Sequence, residues 1–188
     1  MKTAHYPGLS APPPAGASVP LRLLLLVSVC LALTACGGSR QTVRSQPVPA
    51  RQWPQVAAED PAAANAVLMR ALGLVGTPYR YGGNTPESGF DCSGLVAYVF
   101  RDMLDLRLPR TSGELAKVQG PRIEPMRLAP GDLVFFGSRG SVTHVGIYVG
   151  EGRFVHAPSS GGTVRLDHLD GSYWRDHYSG ARRVLTRS

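Results

Sequence analysis

Residues 90–104 read FDCSGLVAYVFRDML. Leu95, Val96, Val99 and Met103 lie three, four, seven and eleven residues beyond Cys92, so all of them share one helical face with it. Asp91 stands at the N-cap position, which places Cys92 in the first turn on the core side. An earlier helix starts at Asp60-Pro61, a capping acid followed by Pro at the first helical position. Its stripe runs Ala64, Val67, Leu68, Ala71, Leu72, Val75, and Gly76 and Pro78 stop it. After Pro109 the period shortens. Residues 132–136 (DLVFF), 143–149 (THVGIYV) and 153–157 (RFVHA) read as short strands, with Val184 and Leu185 closing the sheet. Helices first and strands second predict an α+β fold, helices packed on an antiparallel sheet.

The three cysteines are Cys30, Cys36 and Cys92. The first two fall in or beside an apolar run, so Cys92 is the lone thiol of the folded part. A lone cysteine is either a buried structural residue or a used one. At a helix N-terminus the macrodipole favours the thiolate and lowers its pKa. Gly94 weakens a helix by about 1 kcal/mol relative to Ala, and it lets another chain approach closely.

A nucleophilic thiol needs a base. His144 and His156 lie inside predicted strands, whereas His168 and His177 fall in a polar C-terminal region. A three-residue turn, Gly150-Glu151-Gly152, pairs Val149 with Arg153 and His156 with Gly146. His144 then shares a face with His156, one two-residue step away. A plain two-residue turn would put the histidines on opposite faces. Two histidines and a cysteine could instead hold zinc. Structural zinc usually takes four ligands, and no second cysteine is at hand. No metal or cofactor is expected.

The chain has 188 residues, enough for one core. Its net charge is +7, and 18 of its 20 basic residues are Arg. The first acid is Glu59, and the sequence changes character there. Leu21 to Leu33 (LRLLLLVSVCLAL) is too short for a membrane span of about 20 residues but fits the apolar core of a signal peptide. The following Leu33-Thr34-Ala35-Cys36 resembles the lipobox of bacterial lipoproteins. That resemblance implies cleavage before Cys36 and acylation of its thiol. With Gly37 next, it also implies sorting to the outer membrane, facing the periplasm, if the host is Gram-negative. Residues before Leu21 are long for a leader, and Val19 is a candidate initiator. Gly37 to Asp60, rich in Pro, Ser and Arg without periodicity, reads as a tether. The expected organisation is a signal peptide over 1–35, a lipidated cysteine and tether over 36–60, and a folded domain over 61–188. Loss of Lys2 and Arg22 with the leader leaves 18 basic and 13 acidic residues. This modest excess suits an anionic polymer, not nucleic acid.

Five blocks in order carry a further resemblance: Pro78-Tyr79-Arg80-Tyr81-Gly82-Gly83, Phe90 to Val96, Pro130 to Phe136, His144-Val145-Gly146-Ile147-Tyr148, and His156-Ala157. Over about residues 62–188 they resemble the NlpC-type cell-wall cysteine peptidases. The resemblance implies a papain-like fold with the nucleophile at a helix N-terminus, cleaving peptidoglycan stem peptides; a monomer is expected. It implies Cys92 as nucleophile, His144 as general base, His156 as the residue orienting it, and Tyr79 beside the oxyanion. It also implies that Asp91 and Ser93 grip the stem peptide, in some members through its free amine. One departure is visible: an Arg-x-Ser-x-x-Gln stretch often found in the family is Arg110-Thr111-Ser112-Gly113-Glu114-Leu115 here, with Leu in place of Gln.

Two other functions share these residues: a lipid-anchored binding protein on an inactive peptidase fold, and an amidase or acyltransferase on the same scaffold. The intact Cys, His, His set favours the peptidase. The leader predicts that the mature protein begins at an acylated Cys36. Intact-mass spectrometry of membrane-extracted protein checks this, and an unmodified Cys36 or another terminus contradicts it.

Overall fold

The computed structural model describes residues 51–160 and 162–186. The leader, Cys36 and residues 37–50 lie outside the described residues. Helix α1 spans Pro61–Gly73 and is capped by the Asp60 carboxylate on the Ala63 amide. A small hairpin follows, β1 (Asn84–Thr85) and β2 (Gly89–Phe90). Helix α2 spans Cys92–Leu104, and a short helix α3 spans Ser112–Leu115. Then come β3 (Leu133–Ser138), β4 (Ser141–Gly150), β5 (Arg153–His156), β6 (Arg165–His168), α4 (Ser172–His177) and β7 (Tyr178–Arg182). The five strands form one antiparallel sheet in the order β6-β5-β4-β3-β7.

The sheet is covered on both faces, and β3 shows the alternation directly. Leu133 and Phe135 join the core built with Val67 of α1 and Leu95, Val96 and Val99 of α2. Val134 and Phe136 join a second cluster with Tyr148 and Phe154, against which Trp53 and Trp174 pack. The expected α+β architecture is therefore present, with Cys92 in the first turn of the central helix.

Several details differ from the sequence reading. Helix α1 ends at Gly73; Leu72 in its last turn and Val75 beyond it are exposed, whereas Leu74 is buried. Met103 is likewise exposed, while its neighbour Leu104 packs against the core. The closing strand is β7, not Val184-Leu185; Leu185 drops into the core instead. The folded body also begins before Pro61. Trp53 packs on the second cluster, Ala58 on the first, and Glu59 pairs with Arg183 at 3.0 Å. The stretch from Trp53 onward is thus held against the domain by apolar burial and an ion pair.

The β4–β5 turn reaches the expected register by a different route. The turn has two residues, Glu151 and Gly152, both left-handed at φ 53° and 72°. Gly150 faces Arg153, but the register shifts between Tyr148 and Gly150. This bulge adds one residue, so Tyr148 pairs with Phe154 and Ile147 with Val155. One step further sets Gly146 against His156, as the three-residue turn would have done. A Cβ on Gly146 would stand 2.6 Å from the Phe154 ring and 3.3 Å from the His156 Cβ. Glycine is what lets the two strands close here.

A buried ion pair ties the chain ends to the sheet. Arg183 Nε and Nη2 donate to the two oxygens of Asp132, each at 2.9 Å, and the Asp132 Oδ2 also accepts from the Ala129 amide at 2.8 Å. Asp132 is 2% exposed. Removing one partner of such a pair strands the other charge in the core. Asp132→Ala should therefore cost about 3–5 kcal/mol of unfolding free energy. Urea denaturation measures this, and a loss below about 1 kcal/mol contradicts the assignment.

Candidate active site

Cys92 reaches the sheet at β4. Its sulfur faces the amide of Val145, the residue after His144, together with the amides of Ser93 and Cys92 itself. Cys92 is partly buried against the main core. Tyr79 lies beside it, close enough that the Cys92 and Asp91 charges both raise the phenol, with burial the larger cause. Backbone bonds hold the Tyr79 loop in place: Tyr79 N–H donates to the Gly162 carbonyl at 2.7 Å, and Phe90 N–H to the Pro78 carbonyl at 3.0 Å. The loop then crosses the start of α2 so closely that a Cβ on Gly94 would meet the Gly83 carbonyl oxygen at 2.1 Å.

His144 and His156 meet Nε2 to Nδ1 at 2.8 Å. Two nitrogens sharing one tetrahedral zinc stand about 3.3 Å apart, so this contact is a hydrogen bond. His156 is fully buried, and its Nε2 lies 3.1 Å from Asp167 Oδ2. The same oxygen accepts from Arg165 Nε and Nη2 at 3.2 and 3.0 Å and from Trp174 Nε1 at 2.8 Å. The Trp174 ring also stacks on His144, with centroids 5.3 Å apart and planes 28° apart. Neither Asp167 nor Trp174 was singled out from the sequence. They sit on a short polar edge strand and a six-residue helix, and no spacing marks them.

The tautomers follow from this file. Burial pushes the Asp167 carboxyl up, but the hydrogen bonds from Arg165 and Trp174 and the nearby His156 outweigh it and hold it below its ordinary value. Asp167 is an ionised acceptor, so His156 Nε2 carries the hydrogen. His156 Nδ1 is then a bare acceptor, so His144 Nε2 carries the hydrogen that faces it. The remaining nitrogen, His144 Nδ1, holds a free lone pair.

Burial sets the protonation states. It lowers His144 to about 4; the Asp167 charge offsets this in part, and Arg165 adds to it. His156 falls to about 3 for the same first reason, with His144 second. Cys92 is raised, not lowered as the helix terminus predicts. Burial is the largest cause, and the Asp91 carboxylate adds to it against the amides of Val145, Ser93 and Cys92. The free site therefore holds a neutral thiol and a neutral imidazole.

Asp91 and Ser93 are arranged differently from the expected peptide grip. Asp91 Oδ1 accepts from the Gly94 amide at 2.7 Å, Ser93 Oγ at 3.2 Å and Arg110 Nη1 at 2.8 Å. Its Oδ2 accepts from the Gly82 amide at 2.9 Å and Arg110 Nη2 at 2.7 Å. Ser93 Oγ in turn accepts from Arg110 Nη1 at 2.9 Å. Five donors saturate a carboxylate, and Arg110 neutralises its charge. Asp91 therefore serves as a helix cap and as the partner of Arg110 in the free protein.

The NlpC/P60 family model matches residues 76–183. The chain belongs to the NlpC/P60 family. Murein DD-endopeptidase MepH of Escherichia coli (strain K12) is 43% identical over 127 residues, 66% of this chain and 47% of that protein. Gamma-DL-glutamyl hydrolase of Bacillus subtilis (strain 168) is 43% identical over 129 residues, 67% of this chain and 31% of that protein. The chain thus spans less than half the length of either relative. The crystal structure of an NlpC/P60 family protein from Bacillus cereus ATCC 10987 is similar at TM-score 0.61 and 32% identity, covering 65% of this chain and 40% of that one. The fold is the papain-like α+β fold that the sequence predicts.

The neutral pair has a kinetic signature. If His144 is the base, protonating it removes the lone pair, and activity is lost as pH falls through about 4, well below imidazole's ordinary 6.5. If the Cys92 thiol supplies the leaving group's proton, the alkaline limb lies above the thiol's ordinary 9.0. The pH profile of kcat/KM reports the free enzyme. It should be flat between these limbs, and an acid limb near 6.5 contradicts the assignment.

Proposed function

We propose that this protein is a peptidoglycan endopeptidase that hydrolyses stem-peptide amide bonds through a Cys92 thioester. The observation that carries this reading is the row from His144 through His156 to Asp167, which leaves one free imidazole nitrogen on His144, the residue preceding Val145, whose amide faces the Cys92 sulfur. The Cys92 sulfur attacks the amide carbonyl carbon while its proton passes to His144 Nδ1. The developing oxyanion is held by amide N–H groups at the start of α2 and by the Tyr79 hydroxyl. His144 then gives the proton to the departing amine, and the thioester remains. Water attacks the thioester, His144 takes a proton from it, and transfer of that proton to sulfur restores the thiol as the acid leaves. His156 holds the His144 ring in its productive tautomer. No cofactor takes part in this scheme.

The bond is a diaminopimelate bond, D-alanyl–diaminopimelate or γ-D-glutamyl–diaminopimelate. We favour the first, the crosslink, in wall remodelling. Asp91 already meets five internal donors and the Arg110 charge, which weakens its pull on a free N-terminal amine. The similarity to a protein named as a murein DD-endopeptidase supports the same choice. A leader over 1–35, a lipid on Cys36 and an outer-membrane position facing the periplasm complete the proposal. They would hold a monomeric enzyme against the intact wall.

Digestion of purified peptidoglycan by the full-length protein tests the reading. Released fragments should be stem-peptide cleavage products, and their masses name the bond. Products cut elsewhere indicate an amidase, and binding without cleavage indicates an inactive binding protein. Cys92→Ala should lower turnover at least about a thousandfold. His144→Ala should cost roughly 10²–10⁴-fold, and His156→Gln clearly less. Equal losses at the two histidines would overturn their roles. Crosslinked muropeptide dimers should be cut in preference to free tripeptide, and turnover of the tripeptide alone would overturn the choice of bond.

A further inference from the structure

Helix α2 carries a second cleft on the side turned away from Cys92. Gly94, Ala97, Tyr98 and Arg101 recur at helical spacing and form one stripe, with Gly94 two residues and about 200° around from the nucleophile. The stripe floors a cleft of about 400 Å³ whose walls include Asn84, Arg107 and Arg110. Ala97 keeps that floor low, and the Gly83 carbonyl crosses it at Gly94.

No acidic residue lines this cleft. Four guanidinium groups gather around it or on Tyr98, those of Arg70, Arg101, Arg107 and Arg110. Two are already paired: Arg70 with Asp102 at 2.7 Å and Arg110 with Asp91 at 2.7 Å. Arg101 and Arg107 are exposed, and among the described residues neither has a carboxylate within 4 Å. Asp105, which ends the helix in a left-handed conformation, pairs with neither of them. The Arg101 guanidinium carbon lies 6.0 Å from the Tyr98 ring centroid, and Arg70 is 5.2 Å from the same ring. Tyr98 thus steadies Arg101 without neutralising it. Two uncompensated cationic forks face a concave, side-chain-sized space beside an amide.

We propose that this cleft is an exosite for carboxylate groups of the peptidoglycan polymer. It would hold one stem peptide while Cys92 acts on another. The inference rests on the reading of peptidoglycan as substrate. Guanidinium groups match carboxylates in shape as well as charge, so carboxylate-bearing peptide is the ligand class. A flat anionic bilayer would touch only the rim of a concave cleft and leave its floor empty.

The test measures binding of full-length Cys92→Ala protein to insoluble sacculi, with and without Arg101→Glu/Arg107→Glu. Both residues are exposed, and unchanged thermal unfolding confirms that the variant folds. Loss of two charge pairs should weaken sacculus binding about fivefold or more and flatten its dependence on salt. With Cys92 restored, turnover of a small soluble crosslinked muropeptide should stay within about twofold of the unsubstituted protein, since the exosite acts only on polymer. Arg122→Glu/Arg127→Glu, equal in charge change but outside the cleft, should leave sacculus binding unchanged. Equal weakening by both double variants would reduce the effect to net charge and overturn the exosite. So would undiminished sacculus binding, including the case in which only binding to phosphatidylglycerol vesicles falls. If the unsubstituted protein cut no muropeptide, the endopeptidase reading would fail, while the sacculus isotherms would still decide the exosite.

Discussion

His156 has no exposed surface, and a buried imidazole must find a partner for each of its nitrogens. The fold supplies one partner from β6 and one from β4. Asp167 accepts at Nε2, which forces Nδ1 to be the acceptor for His144. A single buried ring thereby fixes the hydrogen positions of its neighbour. Arg165 and Trp174 share the Asp167 oxygen and keep that carboxylate ionised. Trp174 has a second effect, because its ring covers one face of His144 and limits rotation. The file extends from an edge strand to the centre of the sheet, and it leaves only the outermost nitrogen free for chemistry.

The surroundings serve the same geometry. Gly146 lets β4 and β5 approach so that the two rings face one another, and the bulge before Gly150 keeps them on one side. Gly94 lets the Tyr79 loop cross the start of α2, while Arg110 locks Asp91, Ser93 and Gly83 together beneath that crossing. Half-buried Asp91 would otherwise add an unpaired charge next to a thiol already raised by burial. At the opposite edge, Arg183 and Asp132 join the start of β3 to the chain after β7, and Glu59 brings the entering segment to the same arginine.

Much of this was legible in the sequence because it rests on strong periodic signals. The stripe after Cys92, the cap at Asp91 and the hairpin register all follow from spacing and turn chemistry. Gly152 pointed to an odd number of residues between the paired strands, and the bulge supplies that number even though the turn itself has two residues. What stayed hidden has a different physical origin. Asp167 and Trp174 act through contacts far apart in sequence, on elements too short and polar for any period to show. The direction of the Cys92 shift depends on how deeply the sulfur is buried, which a helix N-terminus alone does not reveal. Trp53 and Glu59 read as part of a tether because their partners, Tyr148 and Arg183, lie about 95 and 124 residues away.

The central claim is that Asp167, acting through His156, keeps His144 Nδ1 free of hydrogen in the resting enzyme. Nitrogen-15 NMR of the imidazoles reads this directly, since protonated and bare ring nitrogens resonate far apart. At neutral pH the spectrum should show both His144 and His156 neutral with hydrogen on Nε2. His144 carrying its hydrogen on Nδ1, or an imidazolium at either position, would contradict the account.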